Sequence, residues 1–203
     1  ASAALDPEGG GDQFGYAVAI SGNGLYLAVG APKEDGGCVE EDGICAPSIA
    51  DNSSVDSGAV YIYEFINSEW LLSNYIKPQA IIEGAAFGSS LSFNSIGNTL
   101  AIGAPNDSVA GSSIDNDGIF NDEETPSPSE GSSSPGSGAA YVIVRTGFDN
   151  NGATIWEKQA VIKAPNVSDG EHFGKSVTLS DEGNTLAISA PNADYQSNSD
   201  VGF

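Results

Sequence analysis

Basic side chains are scarce in this chain: six Lys and Arg stand against 28 Asp and Glu, giving a formal charge of −22 and a pI near 4.1. Neutralising phosphates needs Lys and Arg gathered on one face, so the shortage argues against a nucleic-acid partner. An anionic membrane would repel the chain as well. Histidine occurs once, at His172, and Cys38 and Cys45 are the only thiols. Ser-His or Cys-His catalysis would rest on that one imidazole, and zinc, which takes about four N or S ligands, finds too few. No apolar run reaches transmembrane length, which argues against membrane insertion, and the N-terminus lacks the charged and apolar regions of a signal peptide. An exported protein of this sequence would carry its targeting segment upstream or have lost it. A 3.6-residue apolar period is missing too, which predicts almost no helix. No phosphate-cradling Gly-rich turn runs into a helix.

What is present is a repeat. "QFGYAVAISGNGLYLAVGAP" (Gln13 to Pro32) returns as "AFGSSLSFNSIGNTLAIGAP" (Ala86 to Pro105) and as "HFGKSVTLSDEGNTLAISAP" (His172 to Pro191). The Phe-to-Pro frame is the same length in all three, Phe14 to Pro32, Phe87 to Pro105 and Phe173 to Pro191. His172 shares its slot with Gln13 and Ala86, which reads as a tolerated substitution beside a structural Phe. After each Pro comes an excursion of different length, and then a second shared segment, "SGAVYIYEF" from Ser57 and "SGAAYVIVR" from Ser137; "DVGF" (Asp200 to Phe203) lines up with "DSGA" from Asp56. A fixed frame with variable loops is expected of a rigid scaffold that carries its variation in the connections.

Within the frame, "YAVAI" and "LYLAVG" alternate apolar and small residues about a Gly/Asn turn, the pattern of a β-hairpin. "AVYIYEF" and "EWLLSNYIK" supply a third and a fourth strand, and "AAYVIVR" and "IWEKQAVIK" repeat them. The fold class expected is all-β, built of propeller-type four-stranded antiparallel blades. Residues 1–85 form the first blade with a long acidic loop over 33–56, residues 86–171 the second with a loop over 106–136, and residues 172–203 the first half of a third. That is about two and a half blades of a larger propeller. Phe14, Phe87 and Phe173 are expected to pack between blades, each followed by a glycine (Gly15, Gly88, Gly174) that lets backbones approach closely. Pro32, Pro105 and Pro191, lacking a donor, end the ladder. Trp70 and Trp156 begin equivalent fourth strands and read as packing residues, with sugar stacking the alternative.

This set of signals resembles the FG-GAP repeat, the blade of integrin α-subunit propellers and of many bacterial surface and secreted proteins. The carriers are "FG" at 14–15, 87–88 and 173–174 and "GAP" at 30–32 and 103–105, with "SAP" at 189–191 as a variant. The resemblance implies a non-catalytic extracellular binding or adhesion module. One departure stands out: integrin-type blades carry a calcium loop in the first turn, and here "SGNG", "NSIGN" and "SDEGN" are too short to wrap an ion that takes 6–8 oxygens. Carboxylates gather instead in the long excursions. Ser113, Asp115, Asp117 and Asn121, with Asp122 as a substitute, imitate calcium-ligand spacing in "SIDNDGIFND", and Glu40, Glu41 and Asp42 form a second candidate set. Plain Asx turns with solvated acids would look the same in sequence. Cys38 and Cys45 are expected to form a disulfide, worth about 2–3 kcal/mol by loop entropy and consistent with an oxidising compartment. Partners expected are further blades of the same chain or other copies of it, and a carbohydrate or protein ligand. Alternative functions are a subunit of a surface assembly built by edge-strand completion and an accessory propeller of a secreted polysaccharide-degrading enzyme.

Overall fold

The computed structural model describes residues 11–36, 53–78, 81–108, 134–150, 152–164 and 167–193. All regular structure among them is β. The strands are β1 (Ala17–Ile20), β2 (Tyr26–Ala31), β3 (Ala59–Ile66), β4 (Glu69–Ile76), β5 (Ser90–Phe93), β6 (Thr99–Ala104), β7 (Ala139–Phe148), β8 (Thr154–Ile162), β9 (Val177–Leu179) and β10 (Leu186–Ile188). They form two four-stranded antiparallel sheets, ordered β1-β2-β3-β4 and β5-β6-β7-β8, and the two-stranded β9-β10. Each sheet is a meander, so consecutive strands pair and no crossover is needed.

The second sheet repeats the first in detail. Val29 faces Tyr61 and Ile102 faces Tyr141, and the β3-β4 ladder slips between Ile62 and Tyr63 where the β7-β8 ladder slips between Val142 and Ile143. The inner strands end on Ala31 and Ala104, immediately before Pro32 and Pro105, where a missing N–H stops the ladder. The hairpin turn is longer than two residues. Ser21 N–H donates to the Tyr26 carbonyl, and the Asn23 side-chain oxygen accepts from Leu25 N–H.

The main core lies between the two large sheets. Tyr26, Ala28, Val60, Ile62 and Ile76 of the first close on Phe87, Phe93, Leu100, Ile102, Tyr141 and Trp156 of the second. A smaller cluster, Ala101 and Ala140 against Val177 and Phe173, joins the second sheet to the third. Backbone contact along these seams is close. A Cβ built on Gly30 would stand 2.0 Å from the Gly88 carbonyl oxygen, and one on Gly103 would stand 2.0 Å from that of Gly174. Only glycine fits there.

Candidate functional site

Two equivalent buried clusters stand where the long acidic excursions leave and rejoin the sheets. In the first, Glu34 follows Pro32 by two residues and turns its carboxylate inward. Its Oε2 accepts from the Tyr61 hydroxyl at 2.7 Å and its Oε1 from the Tyr75 hydroxyl at 3.3 Å and from Gly36 N–H at 3.3 Å. The Glu34 carbonyl accepts from Gly58 N–H at 3.0 Å, Ser57 Oγ at 3.2 Å and Lys77 Nζ at 3.2 Å. Lys77 also donates to Ser57 Oγ at 2.8 Å.

In the second cluster Asp107 takes the place of Glu34. Its Oδ2 accepts from the Tyr141 hydroxyl at 2.6 Å and its Oδ1 pairs with Lys163 Nζ at 2.6 Å. Its carbonyl accepts from Gly138 N–H at 2.9 Å and Ser137 Oγ at 3.2 Å. An acid, a Tyr, a Lys and a Ser therefore clamp residue 34 to residue 57 and residue 107 to residue 137. The excursion between the two feet can change length without disturbing either strand.

Charge is handled locally. Burial first, and then the Glu34 carboxylate, push the hydroxyls of Tyr61 and Tyr75 well above the ordinary tyrosine range; burial and Asp107 do the same to Tyr141. All three stay neutral donors near pH 7. Ser, Tyr and Lys in this arrangement could relay a proton in an open cleft, but Ser57, Ser137, Lys77 and Lys163 are buried. What the cluster does is fasten backbone to backbone.

The same feet receive the next blade. Carbonyls of Val55, Asp56 and Ser57 accept from the N–H groups of Gly84, Ala86 and Phe87, and those of Pro135, Gly136 and Ser137 accept from Gly170, His172 and Phe173. Gly58 pairs with Phe87, and Gly138 with Phe173, as short parallel bridges. Gln13, Ala86 and His172 all adopt positive φ, 55–57°, to make the approach to Phe-Gly. The His172 ring Nδ1 lies 3.1 Å from the Pro105 carbonyl oxygen, so the one imidazole faces backbone.

The residues singled out from sequence fall into two groups. Phe87 is 1% exposed in the core between the large sheets and stacks edge-on against Tyr141 at 5.1 Å. Phe173 is half-buried between the second and third sheets. Phe14 makes the equivalent edge-on contact with Tyr61 but is 45% exposed, because no described blade precedes it. Gly15, Gly88 and Gly174 have φ near +90°, and a Cβ on Gly88 or Gly174 would strike the Ala59 or Ala139 carbonyl. Trp156 is buried against Tyr26 of the first sheet, whereas Trp70 is 37% exposed and packs on Phe65. Cys38, Cys45, Glu40, Glu41, Asp42, Ser113, Asp115, Asp117, Asn121 and Asp122 lie outside the described residues. Among the described residues no three His, Cys, Asp or Glu side chains group to hold a metal.

Sequence reasoning passed over Glu34 and Asp107. The signal was available: both acids follow the Pro by two residues, both tyrosines follow the loop's closing Ser by four, and a Lys ends both fourth strands. In the third copy the acid's slot holds Ala193.

Four-stranded meander sheets docked face to face through Phe-Gly and Gly-Ala-Pro define a β-propeller blade protein. The model of the FG-GAP repeat family matches residues 4–63 and 156–202, and the chain belongs to that family. The β5-β8 sheet lies mostly between the matched stretches and repeats the first sheet strand for strand. No curated protein matches the chain. Among the described residues no helix is long and apolar enough to cross a membrane.

Proposed function

We propose that the chain is a non-catalytic extracellular binding module that holds long acidic loops on a rigid blade scaffold, where they take up calcium and engage a carbohydrate or protein ligand. The observation that carries this reading is the clamp at the loop feet. Buried acid, Tyr, Lys and Ser side chains fix both ends of each excursion to a blade seam, and the residues between are acidic and of different length in the two copies. A chain of charge −22 gains from binding cations in those loops. The family's occurrence in surface and secreted proteins supports the extracellular assignment.

The test is equilibrium dialysis of calcium against the chelator-stripped chain and against a variant whose residues 37–52 and 109–133 are replaced by short Gly-Ser links. The parent should bind more calcium than the variant, while the β circular dichroism is retained. Equal binding by the two proteins would end the loop-borne part of the reading.

A second reading, a subunit that assembles by completion of its blades, has its own observation. Phe14, Tyr16, Val18 and Ile20 expose an apolar edge on the first blade, while the corresponding Phe87, Leu91 and Phe93 of the second are covered wholly or in part by the blade before it. Sedimentation at rising concentration tests it: a single monomeric species throughout would exclude assembly between copies.

A further inference from the structure

Four side-chain oxygens crowd together where the first blade meets the second. They come from Glu64 on β3, Ser73 and Asn74 on β4, and Thr154 at the start of β8. Ser73 Oγ lies 2.6 Å from Glu64 Oε1, 2.7 Å from Asn74 Oδ1 and 2.6 Å from Thr154 Oγ1. Thr154 Oγ1 lies 2.8 Å from Asn74 Oδ1 and also contacts Glu64 Oε1.

Proton counting shows the difficulty. Each hydroxyl brings one proton, and the carboxylate and the amide oxygen bring none, so two protons serve five close oxygen contacts. Turning the Asn74 amide over does not help, because its Nδ2 already donates to the Thr154 carbonyl at 3.0 Å and the turn would set oxygen against oxygen there. Protonating Glu64 adds one proton and still leaves contacts with lone pairs facing. The seam is half-buried at Glu64, Ser73 and Asn74 and closed at Thr154, so water does not screen all of this repulsion.

We infer that these oxygens are the protein's share of a cation site that ties the first blade to the second, and that the ion is a hard divalent cation of the calcium class. Every donor is oxygen, which excludes the softer metals. Calcium accepts irregular sets of 6–8 oxygens and completes its shell with water from the open side, whereas magnesium demands a near-ideal octahedron. With one carboxylate in the set, affinity falls in the weak range of roughly 10⁻⁴–10⁻³ M, since it follows ligand charge. None of the four residues belongs to the acidic excursions, so the site stands or falls independently of the loop reading.

The experiment is thermal unfolding of the chelator-stripped full chain, with about 10 mM calcium, magnesium or sodium added in turn. Calcium should raise Tm by roughly 3–6 °C for a millimolar site on a chain of this size. Glu64→Gln and the isosteric Thr154→Val should each remove the same share of the rise, and Ser73→Ala serves if Thr154→Val does not fold. Asp115→Asn with Asp117→Asn, which alters only the 106–136 loop, should leave that share in place. Dialysis should show one ion fewer on Glu64→Gln than on the parent. A calcium-induced rise undiminished in Glu64→Gln and Ser73→Ala, a rise lost only in the loop variant, an equal response to sodium, or no rise in the parent would each overturn the assignment.

Discussion

Replacing Lys163 by Met should destabilise the chain by about 3–5 kcal/mol. The ammonium and the Asp107 carboxylate meet at 2.6 Å with side chains only 5% and 1% exposed. Removing the cation strands a carboxylate in the interior, and the cost is dominated by that uncompensated charge. Met matches the length of the Lys stem, so little packing is lost. For a chain of this size the cost corresponds to a fall in Tm of roughly 6–20 °C. Equilibrium urea unfolding measures it directly, and the double variant Asp107→Asn/Lys163→Met should cost clearly less than the sum of the two single changes. Lys33→Met is the internal control. Its contact with Asp56 is 3.9 Å, with side chains 44% and 43% exposed, and its loss should stay under about 1 kcal/mol and shrink in high salt. A Lys163→Met loss below about 1 kcal/mol, a loss that salt removes, or strict additivity in the double variant would refute the clamp as a buried charge pair.

Three further outcomes follow from the same geometry. Tyr61, Tyr75 and Tyr141 keep their protons in the folded chain above the unfolded value near 10, so their contribution to stability is complete below pH ~10 and is lost as pH rises beyond it. Three such groups give a slope of up to about 4 kcal/mol per pH unit, and Tyr141→Phe should remove about a third of it in alkaline urea titrations. Trp156→Ala should cost about 3–5 kcal/mol and Trp70→Ala no more than about 1.5 kcal/mol by the same assay, and equal losses would contradict the different burial of the two rings. Gly103→Ser would set a Cβ 2.0 Å from the Gly174 carbonyl oxygen and 2.2 Å from Ser90 Oγ. Hydrogen exchange should then speed up at Val177–Leu179 and Leu186–Ile188 while β1–β4 keep their protection, and unchanged exchange at β9 and β10 would refute the close-approach argument.

The strands were readable because each frame carries period-2 apolar alternation bounded by Gly, Asn and Pro, and because every copy repeats the signal. Burial was not, since it depends on the neighbour. Phe14 and Phe87 sit in the same sequence context, as do Trp70 and Trp156, yet in each pair only the residue with a blade before it is buried. The clamp escaped notice for a different reason. A lone Glu after Lys33 and a lone Asp after Asn106 look like two more solvated acids in an acidic chain, and only the fold brings Tyr61 or Tyr141 and the strand-end Lys to them across 27 to 56 residues of sequence. The oxygen cluster at Glu64, Ser73, Asn74 and Thr154 has no local pattern at all, because three of its contacts cross from one blade to the next over 80, 81 and 90 residues.

Clamp and seam are one structure. Ser57 donates its hydroxyl to the Glu34 backbone carbonyl and, on its own carbonyl, accepts from Phe87 N–H; Ser137 does the same with Asp107 and Phe173. The backbone carbonyl at the loop foot therefore holds the same serine whose own carbonyl receives the next blade. The third copy alters both halves together: Ser189 stands where Gly30 and Gly103 admit the next blade's backbone, Ala193 where Glu34 and Asp107 close the foot, and Val201 where Ser57 and Ser137 stand. Because one serine carries both bonds, a change at Ser57 or Ser137 loosens the loop foot and the docking of the next blade together.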